Sequence, residues 1–163
     1  MTPAQSTEPA DAFRLRLDLA APVAQPKWPA GFNCRTFRDG DAPEIHNLLR
    51  LVYAADRSVP DYGSWWSNLS ADPEFDPSLC FLVFDRKQEL VAVAQCWTSA
   101  FLKDLAVRGD ARRLGLGENL LRQVFNAFGE RGAKWVDLKV EVRNATAMRL
   151  YKRMGMEKVP FAG

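Results

Sequence analysis

The chain has 163 residues, 47% hydrophobic and 26% charged, with 22 basic against 20 acidic side chains and a net charge of +2. That length can bury one sizeable core, and the near-balance of charge excludes the dominant basic surface of a nucleic-acid binder. No segment reaches the ~18 apolar residues of a membrane span, and the start of the chain lacks the basic region and apolar run of a signal peptide, so a soluble cytoplasmic protein with no membrane contact is expected.

In chain order, residues 1–11 are polar and rich in Pro and Ala, and a disordered tail is expected there. Phe13, Leu15, Leu17 and Leu19 alternate with Arg14, Arg16 and Asp18, the period-two pattern of a half-buried strand. Pro22, Pro26, Pro29 and Gly31 mark a linker over the surface, so residues 12–30 read as an extra strand with a Pro-rich linker, ahead of a domain over residues 31–163. Residues 32–37 form a short strand. Asp41-Ala42-Pro43-Glu44 starts a helix with Asp41 as its N-cap, along which Ile45, Leu48, Leu49, Val52 and Tyr53 recur at helical spacing. Pro60, Gly63, Pro73 and Pro77 break up residues 54–78, leaving a short helix around Trp65-Trp66. Residues 79–84 and 90–97 flank Asp85-Arg86-Lys87-Gln88 as a hairpin, and Thr98-Ser99 turns into a strand over residues 101–107. Leu116, Leu120, Leu121, Val124, Phe125 and Phe128 make the apolar stripe of a helix ended by Gly129 or Gly132. A strand over residues 135–141, a helix after Asn144 and room for one short strand over residues 156–160 complete an α/β domain around a mixed sheet.

Cys34, Cys80 and Cys96 are an odd number without metal-ligand spacing and lie in or beside apolar segments, so they read as buried free thiols of a reducing compartment. His46 is the only histidine, which excludes a multi-histidine metal site, and its place on the first helix reads as a helix-face residue. No metal is expected. Arg108-Gly109-Asp110 matches an adhesion tripeptide by chance.

The most informative segment is Arg112-Arg113-Leu114-Gly115-Leu116-Gly117, between the strand that ends at Val107 and the helix that follows. Glycines let a backbone approach an anion closely. The first N–H groups of a helix lack internal partners and sit at its positive end. A Walker loop requires Lys where Glu118 stands, and the dinucleotide fingerprint requires a third glycine where Leu120 stands. The remaining pattern is Arg/Gln-x-x-Gly-x-Gly/Ala, matched by Arg112, Gly115 and Gly117. Downstream lie Asn144, Ala147, Leu150, Tyr151, Gly155 and Met156, in the pattern Asn-x-x-Ala-x-x-Leu-Tyr-x-x-x-Gly-Phe with Met156 in place of Phe. With both motifs in order, the chain resembles the GNAT superfamily of acyl-CoA N-acyltransferases over residues 101–159, and in element order back to about residue 31.

The resemblance implies a single GNAT domain, a central mixed and mostly antiparallel sheet flanked by helices, with acetyl-CoA as cofactor. It implies that backbone N–H groups of Leu114, Gly115, Leu116, Gly117 and Glu118, with Arg112 or Arg113, hold the pyrophosphate. Leu105, Ala106 and Val107 pair with the pantetheine arm where their strand parts from residues 136–140, and a backbone N–H among them polarises the acyl carbonyl. Tyr151 matches the family's tyrosine and is the candidate acid; the other reading is a core aromatic. Asn144 positions the cofactor arm or simply caps the last helix. A lysine-like amine is only about one part in 10³ neutral at pH 7, so a base is needed. A glutamate often found in the branch that acetylates ribosomal-protein N-termini is here Lys139. Glu141 is the candidate base and Asp104 the other carboxylate in reach; each also reads as a strand-end charge. Trp65, Trp66, Phe75 and Trp97 would wall an acceptor pocket, with Asp61, Asp72, Glu74 and Asp76 attracting a cationic amine. Residues 73–77 are loosely similar to acyltransferases of the mycothiol-synthase kind.

The family ends with two strands after its second motif, and this sequence has room for one. The strand at residues 13–19 therefore takes the missing place or adds at a sheet edge, with a strand swapped in a homodimer as the alternative. The expected function is an acetyl-CoA-dependent N-acetyltransferase acting on a small-molecule amine or a peptide N-terminus. The alternatives are a non-catalytic acyl-CoA sensor and an acyltransferase with another donor or acceptor.

Overall fold

The computed structural model describes residues 11–55 and 57–160. The expected tail falls outside them except for Asp11. The elements are β1 (Ala12–Asp18), β2 (Asn33–Thr36), α1 (Ala42–Tyr53), α2 (Tyr62–Ser70), β3 (Phe75–Phe84), β4 (Leu90–Trp97), β5 (Phe101–Val107), α3 (Leu116–Glu130), β6 (Trp135–Glu141), α4 (Ala145–Arg153) and β7 (Glu157–Val159). They form one seven-stranded sheet in the order β2-β3-β4-β5-β6-β1-β7. Every neighbouring pair is antiparallel except β5 and β6, which run parallel around the crossover helix α3. This is the α/β architecture the sequence pattern implies.

The alternating sequence of β1 decides its place. Leu15 is fully buried, with Phe13 and Leu17 packed around the same core, whereas Arg14 and Arg16 point to the other face. The strand lies inside the sheet, between β6 and β7 of its own chain, rather than at an edge. Its exit is strapped across α3. Asn119 is buried and clamps the backbone of Lys27, its Oδ1 accepting from Lys27 N at 2.9 Å and its Nδ2 donating to Lys27 O at 2.8 Å. Asn126 Nδ2 likewise donates to Ala24 O.

Two cores flank the sheet. One lies under α3 and α4, where Leu116, Leu120, Leu121, Val124, Phe125 and Phe128 present the predicted stripe to Leu15, Leu79, Val91, Leu138 and Met156. The other lies under α1 and α2, built on Ile45, Leu48, Leu49, Trp65, Leu82 and Val93. With both faces covered, β4 is buried from Leu90 to Cys96 and reads as a continuous apolar run rather than an alternating one.

Some local expectations are corrected. Strand β3 starts at Phe75, not at residue 79, pairing Phe75 with Trp97, and the ladder resumes at Cys80 because Pro77 has no N–H to contribute. Asp41 holds the N-cap position of α1 as expected but makes no side-chain capping bond: its backbone is right-handed and its carboxylate is taken up by Arg38 N and by both Nη atoms of Arg35. His46 is a buried helix-face residue, as read, with Nε2 2.7 Å from Pro60 O.

Candidate active site

The sheet opens at its parallel pair. Strands β5 and β6 are joined only at Phe101–Asp137 and Leu102–Leu138. Beyond that point they part. The cause is in β5: Leu102 and Asp104 face consecutive β4 residues, Cys96 and Gln95, so Lys103 is an extra residue. Such a bulge bends its strand and sharpens its twist. The N–H of Arg108 bonds to Val91 O on β4, and by alternation the N–H and C=O of Leu105 and Val107 point away from β4, into the opening. They are a stretch of strand edge without a strand partner. Of these groups, Val107 O takes a long contact from Arg112 Nε at 3.4 Å.

The loop enters α3 beside this edge. Gly115 is the N-cap, left-handed at φ +77, and has no side chain to cap the helix. The first intrahelical donor is Asn119 N, bonded to Gly115 O, so the N–H groups of Leu116, Gly117 and Glu118 are left to face the opening. A cavity of about 780 Å³ lies here, lined by Leu105, Val107, Arg112, Arg113, Gly115, Leu116, Gly117 and Glu118 on one side and by Asn144, Ala147, Arg149, Leu150, Tyr151 and Arg153 of α4 and its cap on the other. A Cβ on Gly117 would stand 3.4 Å from Leu150 Cδ2 and 3.9 Å from Val107 Cγ2, within the wall of the cavity.

These features fit a long acyl-CoA. An unpaired strand edge suits an amide-bearing arm, and an uncapped helix start among four arginines suits a pyrophosphate. Most of the predicted cofactor residues line this cavity; Leu114 is exposed and does not line it, and Ala106 is turned into the core beneath α1 and offers only its backbone position.

A second cavity of about 150 Å³ lies at the α1 end of the opening. Its lining includes Arg57, Leu102, Lys103, Leu138, Lys139 and Glu141. It shares Tyr53, Leu105, Asn144, Ala147 and Tyr151 with the larger cavity, so the two meet where β5 and β6 part. Tyr151 stands at that junction. Burial, and secondarily the charge of Asp104, push its hydroxyl up to about 12, which keeps it protonated near neutral pH. Asn144 caps α4 by accepting from Ala147 N at 3.1 Å, and it lines both cavities. Glu141 lines the smaller cavity, is partly exposed, and pairs with Arg143 at 3.1 Å.

The expected aromatic wall is not there. Trp65 is buried, Phe37 stacks on Trp66 with Phe75 edge-on to both, and Trp97 packs against the same core under α1 and α2, away from both cavities. The acidic residues near them are turn formers. Asp61 caps α2 through Ser64 N, Asp72 accepts from Glu74 N, Glu74 accepts from Ser99 N, and Asp76 holds Ser78 and Arg131. The residue that the sequence did not single out is Tyr53. Its helical spacing marked it as core, yet it lines both cavities and its hydroxyl donates to Asp104 at 3.1 Å.

No helix among the described residues is long and apolar enough to cross a membrane, and no group of three or more His, Cys, Asp or Glu side chains among them could hold a metal ion.

Residues 42–156 match the family model described as acetyltransferase (GNAT) family. Mycothiol acetyltransferase of Rhodococcus opacus is 30% identical over 163 residues, an alignment covering 87% of this chain and 52% of that protein. A GCN5-related N-acetyltransferase from Sphaerobacter thermophilus superposes with a TM-score of 0.79 at 28% identity, covering 91% of this chain and 48% of the other. Arabidopsis thaliana Naa50, solved with the bisubstrate analogue CoA-Ac-MVNAL, shares the fold at a TM-score of 0.61 and 19% identity, covering 77% of this chain and 83% of that one. The chain spans about half the length of the mycothiol acetyltransferases it matches. The family match extends from the start of α1 to the turn after α4, the stretch whose β5, glycine loop, β6 and α4 build the opening, and the chain belongs to the GNAT acetyltransferase family.

Proposed function

We propose that this chain is an acetyl-CoA-dependent N-acetyltransferase whose acceptor is the primary amine of a small molecule or a peptide N-terminus. The observation that carries the reading is the passage between β5 and β6, with an anion-binding helix start at one end and an amine-sized cavity at the other. A sensor would need the first and not the second.

Acetyl-CoA, when bound, supplies the acetyl group and a thiol leaving group. The chain's residues do the rest. The N–H groups at the start of α3, with Arg112 and Arg113, hold the phosphates. The free edge of Leu105 and Val107 aligns the amide-bearing arm, and an N–H of that edge is the donor for developing negative charge. Tyr151 holds a proton at the junction of the cavities and donates it toward the departing sulfur. On the acceptor side, Glu141 lines the cavity directly, and Asp104 lies behind Tyr53, out of direct reach of an incoming ammonium group. The domain over residues 31–163 acts with the strand of residues 12–18, which completes the sheet beside β6. A cytoplasmic setting fits the free thiols, and a homodimer is the assembly proposed.

Thermal unfolding with acetyl-CoA, with NAD and ATP as controls, tests the cofactor. A ligand selective for the folded state adds about 2.7 kcal/mol at 100 times its dissociation constant. Stabilisation by NAD or ATP in place of acetyl-CoA would overturn the assignment. Tyr151→Phe should lower turnover by about 10²-fold or more while acetyl-CoA still stabilises the protein; full activity in that variant would remove the acid role.

A further inference from the structure

We propose that Tyr53 and Asp104 form a proton wire on the acceptor side of the passage, Tyr53 touching the acceptor amine and Asp104 serving as the buried carboxylate positioned behind it. The inference rests on the acetyl-transfer reading and adds the deprotonation step that it requires.

Asp104 is 5% exposed and lines neither cavity. The bulge at Lys103 turns it opposite Gln95, toward α1. Its Oδ1 accepts from Tyr53 Oη at 3.1 Å and from Arg57 Nη2 at 3.4 Å, and its Oδ2 accepts from Lys103 Nζ at 2.9 Å. Tyr53, Arg57 and Lys103 all line the smaller cavity, and Tyr53 lines the larger one too. Among the described residues, Tyr53, Arg57 and Lys103 are the side chains that both line the cavity and bond to Asp104. A guanidinium and an ammonium have donors and no acceptor. A phenol hydroxyl accepts and donates at once, so Tyr53 alone can pass a proton inward. Its ring is held by Arg57, whose Cζ lies 4.0 Å from the ring centroid. Glu141 is the competing base: it lines the smaller cavity, is partly exposed and pairs with Arg143, as Asp104 pairs with Arg57 and Lys103.

The step balances as follows. An N–H bond of the acceptor ammonium breaks, its electron pair stays on nitrogen, and the proton binds Tyr53 Oη. The original Tyr53 proton leaves for Asp104 Oδ1. The products are a neutral amine, an unchanged phenol and a neutral Asp104 carboxyl. The charged or titratable groups that face Asp104 are Arg57 beyond α1, Lys103 on its own strand and Tyr53, while Tyr151 on α4, Cys80 on β3 and Cys96 on β4 sense its charge.

The test uses the full chain, acetyl-CoA and two acceptors, with release of free CoA thiol as the readout. Alanine amide is largely protonated in the lower half of the pH range, and hydroxylamine is already neutral at the assay pH. Tyr53→Phe and Asp104→Asn should each lower kcat for alanine amide about 10²-fold or more, leave hydroxylamine within about threefold, and erase the acid limb of the alanine amide pH profile. Tyr53→Phe keeps the ring under Arg57, and stabilisation by acetyl-CoA reports that it is folded, so it decides the matter even if Asp104→Asn does not fold. Equal losses with both amines, an unaltered Tyr53→Phe, or an acid limb that vanishes in Glu141→Gln and survives in Tyr53→Phe would overturn the wire while acetyl transfer stands. Thiol release from neither amine by the wild-type chain would refute acetyl transfer itself, and the wire with it.

Discussion

Removing Arg16 probes what holds the far lip of the opening. Strand β6 touches β5 at only two residue pairs, so its position depends on β1 along its other edge. Asp137 on β6 is 2% exposed, and Arg16 meets it with a two-pronged contact, Nε to Oδ1 at 2.7 Å and Nη2 to Oδ2 at 2.9 Å, while Arg14 Nε reaches Oδ2 at 2.8 Å. Burial alone would raise Asp137, but the bonds from Arg16 and Arg14 outweigh it and hold the carboxyl below its usual range. Arg16→Ala loses charged hydrogen bonds but leaves Arg14 in place, a cost of about 2 kcal/mol, or about 4–8 °C in Tm for a domain of this size. Removing both arginines strands a buried charge, at about 3–5 kcal/mol.

The pH dependence follows from the sign of the shift. In the wild type the folded-state pKa lies below the unfolded value, so the stabilisation is complete above about pH 4 and is lost as pH falls through the folded value. In the double variant only burial acts on Asp137, its pKa rises above the unfolded value, and the charged form is penalised as pH increases. The gap between wild type and double variant is therefore widest near neutrality and closes in acid. Urea denaturation from about pH 8 to about pH 4 measures it. A gap that does not change with pH, or a loss below about 0.5 kcal/mol for Arg16→Ala, would refute the claim that Asp137 is a buried, paired charge.

Gly115→Ala places a side chain on a left-handed residue in open space, with only Asn119 Nδ2 at 3.8 Å, so the cost is backbone strain of about 1 kcal/mol; Tm should fall by about 2–4 °C and acetyl-CoA affinity should drop with it, and an unchanged Tm would mean that the turn is not left-handed. Leu15→Ala should cost about 2–5 kcal/mol in urea denaturation because the side chain is fully buried; a loss below 1 kcal/mol, as expected at a sheet edge, would contradict the interior placement of β1. Burial pushes the Cys34 thiol up to about 12 and raises Cys80 and Cys96 as well. The folded chain should then react negligibly with a thiol reagent near pH 8, and Cys34, Cys80 and Cys96 should all react after denaturation; rapid labelling of the folded chain would show that these sites open.

Much of the fold and half of the site were legible in the chain itself. The stripe from Leu116 to Phe128, the alternation around Leu15, the capping Asn144 and the glycines before α3 are all local signals, because helical and strand periodicity select a buried face within one element. The acceptor side was not legible. Trp65, Trp66 and Phe75 have the composition of a pocket wall and became core instead, since periodicity says that a face is buried but not what buries it. Asp61, Asp72 and Asp76 have the composition of a cation funnel, yet their carboxylates are taken up by the nearest backbone amides. Tyr53 sat in a core stripe and ended lining both cavities with its hydroxyl on Asp104.

Sequence alone determined the order of the elements, the glycine turn before α3 and the family, because each rests on residues within a few positions of one another. Tertiary structure alone decided that β1 lies between β6 and β7, that the sheet opens after Leu102 and Leu138, and that Tyr53, Asp104 and Tyr151 gather around the opening. Those outcomes depend on strand register between segments far apart in the chain and on one extra residue at Lys103, and register is set by the packing of whole faces rather than by any local run of residues.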